Sequence, residues 1–108
     1  MAKYLFIESR DPFESADAGP FAKIVEGIAQ RGNETILFLV QNGVLSARKG
    51  SRATDRITGL LKSKVKVLAD RFSVKERAVT RLVEGVESID MNQFVQLLLE
   101  PGTKAIWH

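Results

Sequence analysis

Asp70, Arg71 and Phe72 stand between an apolar run, Val65, Val67, Leu68 and Ala69, and the pair Ser73 and Glu76. The run reads as a buried strand, and Ser-x-x-Glu as a capping box that opens a helix. A turn from strand end to helix start is where open α/β sheets bind ligands and mount nucleophiles. This turn has no Cys, His or hydroxyl before Ser73. Its carboxylate, Asp70, has two uses open to it: a general base, or a charge that complements the helix dipole. The second asks less of the surroundings and is the one expected.

Two more turns have the same setting, residues 8–11 and 41–43, each after an apolar run. Parallel strands would bring all three turns to one sheet edge, a place where a small-molecule pocket could form, although turns are polar in any case. Its candidate residues are Asn42, Gly43, Asp70, Arg71 and Arg77. A second candidate is the polar stretch "SARKGSR", where Arg48, Lys49 and Arg52 could contact an anion. No aromatic residue is interleaved there for stacking bases, so a solvated loop is the simpler reading and nucleic acid is not expected.

Composition removes whole classes of chemistry. The 108 residues contain no cysteine, which excludes disulfides, thiolate metal sites and any persulfide or thioester on this chain. The single histidine, His108, argues against a zinc site or a serine–histidine pair, so no metal is expected. "GxGxxG" and the P-loop pattern are absent, so no cofactor is expected either. The 13 acidic residues are mixed among 16 basic ones, and a net charge of +3 points to no particular partner. "MAKYLFIES" enters a strand-like run directly, without the pattern of a signal peptide, and no apolar stretch approaches the ~20 residues of a membrane span. A cytoplasmic protein without a membrane segment is the expectation.

The elements that must position these residues alternate. Strands are expected at residues 4–7, 35–40, 65–69, 88–90 and in the closing "TKAIW". The run "TILFLV" is the most apolar and should be central. Phe21, Ile24, Val25, Ile28 and Ala29 fall on one helical face, and Gly32 suits the left-handed cap after them. A weaker helix carries Ala53, Ile57, Leu60 and Leu61. The helix opened at Ser73 should present Ala78, Val79, Leu82, Val83 and Val86. Asp90 with Gln93 opens a last helix through Leu99, and "ESRDPFESADAGP" is a loop. This alternation predicts a three-layer α/β fold, a mainly parallel sheet flanked by helices, in a single domain over residues 1–108.

The last helix, "DMNQFVQLLLE", carries more apolar residues than one sheet face needs. Met91, Phe94, Val95 and Leu98 would cover one face, and Leu97 and Leu99 widen the arc. With Trp107 close by, Leu97, Leu99 and Trp107 form a candidate subunit interface.

Several of these segments together resemble the DsrE-like sulfur-relay family, nearest to its DsrH/TusB-type subunits. The resemblance rests on "FLVQNGVLSA", with Gln41, Asn42, Gly43 and Val44 after the second strand. It extends to the step Arg77, Ala78, Val79, to Phe94, Val95 and Leu97, and to Trp107. It implies a doubly wound fold and assembly with itself or with homologous DsrE-like subunits. Catalytic members carry a cysteine that takes up sulfur as a persulfide. Counting back from Arg77, its position falls at about Asp70. The family favours glycine where this chain has Ala78. A carboxylate cannot replace a thiolate in attack on sulfane sulfur. The leading expectation is therefore a cysteine-free, non-catalytic subunit or scaffold of such an assembly, not an enzyme on its own. The alternative is a small-ligand-binding or enzymatic homo-oligomer that uses the pocket at the strand ends.

Overall fold

The structure, a computed structural model, describes residues 2–11, 16 and 18–108, with Ala18 described by its backbone only. Much of the expected loop "ESRDPFESADAGP" lies outside the described residues. Five strands, β1 (Lys3–Glu8), β2 (Glu34–Leu39), β3 (Lys66–Asp70), β4 (Glu87–Ile89) and β5 (Thr103–Trp107), form one sheet in the order β4-β3-β2-β1-β5. Every neighbouring pair is parallel. The apolar run of β2 is central, as its composition requires.

Alternation of side chains along the strands divides the core in two. Phe6, Leu37, Leu39, Val67 and Ala69 face helices α1 (Ala18–Gln30) and α2 (Thr54–Lys62). Leu5, Ile7, Ile36, Phe38 and Leu68 face α4 (Met91–Leu99), whose Phe94 ring stacks on Phe38 at 4.2 Å. The three-layer α/β fold is thus present. Among the described residues no helix is long and apolar enough to cross a membrane.

Four local expectations need correction. On α1 the buried positions are Phe21, Val25 and Ala29, spaced by four, while Ile24 is 56% exposed. Residues 41–43 are not a simple turn but open a 3₁₀ helix, Gln41–Ala47. Ser73 does not cap α3 (Arg71–Glu76); Asp70 does, and Ser73 lies in the first turn as its partner. Nor does α3 run on to Val86. Ala78 N–H bonds Lys75 O at 3.1 Å and Val79 N–H bonds Val74 O at 3.1 Å, a Schellman stop with Ala78 left-handed at φ 52°. The chain then returns beside residues 47–49, with Val83 N–H on Ala47 O at 2.8 Å. Val79 and Val83 are buried through this return, not along a helix.

Candidate functional site

The carboxyl ends of the strands gather the polar residues, as they do in parallel α/β sheets. At the end of β3, Asp70 is only 3% exposed. Its Oδ2 accepts the Ser73 backbone N–H at 3.1 Å and the Ser73 hydroxyl at 2.6 Å. Ser73 Oγ in turn accepts the Gln41 N–H at 2.9 Å, across 32 residues of sequence. Gln41 is held there at φ 53°, a conformation that non-glycine residues seldom adopt. Beside this chain of bonds, Arg77 Nε donates to Asn42 Oδ1 at 3.0 Å and its guanidinium reaches Ser73 O at 3.5 Å. Arg71 donates to Ser88 O at 3.3 Å.

The five pocket candidates therefore share one corner of the fold but not one cavity. Asp70 and Arg71 line a cavity of about 410 Å³ with Phe72, Lys75, Asp90 and Met91. Asn42 and Arg77 pair outside that wall. Gly43 is buried against β1: a Cβ there would overlap the Glu8 carbonyl, so close backbone approach is what its missing side chain permits. The second oxygen of Asp70, Oδ1, is buried and finds no hydrogen-bond partner among the described residues. Among those residues no three acidic or imidazole groups gather to hold a metal.

A second polar pair is one that sequence reasoning misses. Glu8 Oε2 lies 2.6 Å from His108 Nδ1, and Glu8 Oε1 accepts the Arg10 N–H at 2.8 Å. The His108 ring stacks on Phe21 at 4.4 Å. Glu8 also borders a small apolar cavity of about 30 Å³ with Ser46, little more than the room a water needs. The sequence signal for the pair is slight: a carboxylate at a strand end, and a lone imidazole just after the last strand.

Arg48, Lys49 and Arg52 are exposed. Their loop is pinned by the Arg48↔Leu82 bridge and by Lys49 N–H on Arg81 O at 2.9 Å, which brings a further arginine alongside. Of the three interface candidates, Leu97 packs partly buried against the core that contains Phe94. Leu99 and Trp107 are 74% and 65% exposed. Met91, Val95 and Leu98, at helical spacing on α4, are exposed as well, where the sequence grouped them with buried Phe94. The inward stripe of α4 is Phe94 with Leu97; the outward stripe is apolar too.

A small, all-parallel α/β domain with a closed, thiol-free turn at the end of β3 is the class that this geometry defines. The sequence model described as DsrH-like protein matches residues 20–103, and the chain belongs to the DsrH-like family. The resemblance read from "FLVQNGVLSA" is borne out. Among solved structures, the ychN protein of E. coli is similar over 100% of both chains, with a TM-score of 0.90 and 16% identity. Protein MTH1491 of Methanobacterium thermoautotrophicum, of unknown function, is similar over 100% of both chains at TM-score 0.84 and 16% identity. Protein BT1422 of Bacteroides thetaiotaomicron, also of unknown function, reaches TM-score 0.76 at 16% identity, over 98% of this chain and 95% of that one. Identities this low speak for the shared fold alone. No curated protein matches.

Proposed function

We propose that this chain is a non-catalytic, cysteine-free subunit of a DsrE-like sulfur-relay assembly, which positions a cysteine-bearing homologue or binds its own kind. One observation carries this reading. Where the family resemblance aligns a sulfur-accepting cysteine, the chain has Asp70, and that side chain closes a turn. A persulfide forms only on a thiolate, and the 108 residues supply none. The outward apolar stripe of α4, with Leu99 and Trp107, supports a subunit role. The cytoplasm, where thiols stay reduced, is the setting for such a relay.

A second reading is favoured by the 410 Å³ cavity that Asp70 and Arg71 line: a small ligand held at the carboxyl ends of the strands. Affinity purification from native lysate, followed by mass spectrometry, separates the two. Recovery of a cysteine-bearing DsrE-like homologue in fixed ratio is the expected result. Recovery of the chain with itself alone, together with ligand binding abolished by Asp70→Asn at unchanged melting, would establish the second reading instead.

A further inference from the structure

The two outer strands of the sheet differ in how they end it. β4 has three residues, a length that offers little to another strand. β5 has five, in unbroken register with β1, and four of them are exposed. It contains neither proline nor bulge, and its only charged residue, Lys104, reaches over the Tyr4 ring at 5.5 Å, toward β1. Natural sheets blunt a long edge with such devices, because its free backbone groups are a template for pairing.

The free groups can be assigned. His108 donates its N–H to Ile7 O at 2.8 Å and accepts the Ser9 N–H at 3.1 Å on its carbonyl. Residues of a parallel strand bond alternately to either side, so Lys104 and Ile106 face β1 as His108 does. The N–H and C=O groups of Ala105 and Trp107 therefore point away from the sheet. Thr103 N–H closes on Glu100 O at 3.2 Å, which leaves its carbonyl for an outside donor.

We propose that β5 pairs antiparallel with β5 of a second copy of this chain, about a two-fold axis normal to the sheet at Ala105. The inference deepens the subunit reading above and rests on it. In that register Ala105 faces Ala105 of the second copy, and the two exchange N–H and C=O bonds. Trp107 N–H meets the Thr103 carbonyl of the second copy, the one backbone group that Thr103 has free. The edge is thus complementary to itself, which a two-fold interface requires. A small side chain lies at the axis, where the two sheets meet. Ala105 and Trp107 register with Leu5 and Ile7, on the face that α4 covers. The Trp107 indole N–H donates to Ser9 Oγ of its own chain at 3.3 Å, so the ring leans back toward β1 and leaves the outward backbone groups clear. The two α4 helices would flank the axis on one side of a joined sheet.

Amide hydrogen exchange on the purified chain, alongside light scattering, tests this. In the wild type, a dimer is expected whose Ala105 and Trp107 amides exchange at least about 100-fold more slowly than free edge amides. Ala105→Pro removes the outward N–H and leaves the bonds to β1, so it should give a folded monomer. If that variant does not fold, wild-type exchange decides alone. An oligomer whose Ala105 and Trp107 amides exchange freely overturns the edge pairing and leaves the subunit reading standing. A homologous subunit paired at this edge overturns the choice of a second copy. A monomer at micromolar concentration also overturns the edge pairing, and the subunit reading falls with it only if no cysteine-bearing homologue co-purifies.

Discussion

Ser73 Oγ stands between Asp70 and Gln41, donating to the Asp70 carboxylate at 2.6 Å and accepting the Gln41 N–H at 2.9 Å. One buried hydroxyl thereby joins the first turn of α3 to the start of the 3₁₀ helix, two elements that sequence separates by a whole strand–helix unit. The turn at the end of β3 is thus tied to the segment at the end of β2.

Ser73→Ala should be costly for so small a change. It removes the hydroxyl from both bonds and leaves the Gln41 N–H without its acceptor. Gln41 is exposed, so water can replace that acceptor. The loss comes from the buried bond to the Asp70 carboxylate, a kind worth about 1.5–3 kcal/mol, and the denaturation midpoint should fall clearly with an unchanged slope. A midpoint within error of wild type would mean that the joint contributes nothing.

Ala78→Gly should stabilise the fold. Ala78 pays for its left-handed φ of 52° roughly 1–2 kcal/mol, and glycine's extra chain entropy takes back about 0.5–1. A gain of about 0.5–1 kcal/mol in chemical denaturation is expected. A loss would contradict the Schellman geometry.

Two glycines should respond in opposite directions. At Gly43 a Cβ meets the Glu8 carbonyl, so Gly43→Ala should cost about 3 kcal/mol or more, since backbone must move. Gly27 lies inside α1 with no atom within 4 Å of the added carbon, so Gly27→Ala should gain about 1 kcal/mol. Thermal melts of the two variants would check both signs.

Charges on α4 should separate folding from assembly. Leu99→Lys, at an exposed position, should change stability by no more than about 0.5 kcal/mol. It should nonetheless weaken association in light scattering. Leu97→Lys puts a charge against the Phe94 core and should lower the melting temperature first.

The sequence made some of this fold plain and concealed the rest for physical reasons. "TILFLV" is apolar on both faces and lies at the centre of the sheet, and Asp90 with Gln93 forms the capping box its spacing predicts. Ser73 misled because Asp70, three residues earlier, is an equally good cap, and the acid took the role. The end of α3 was concealed because Ala78 occupies a position where glycine would have announced the stop. The apolar spacing after it matched a helix while serving an irregular return segment. In α4 both stripes are apolar, so periodicity could not say which one faces inward. The contact of Glu8 with His108 spans 100 residues and depends on β5 lying beside β1, which no local pattern encodes.

The proposal that this chain supports sulfur relay without carrying sulfur can be tested by supplying a cysteine desulfurase and labelled cysteine to the co-purified assembly and following the label on each subunit. Reductant-sensitive label is expected on the cysteine-bearing partner and none on this chain. Labelling of the partner should be faster when this chain is present, to the same extent with Asp70→Asn as with wild type. Covalent label on this chain, or loss of transfer with Asp70→Asn at unchanged melting temperature, would contradict the proposal.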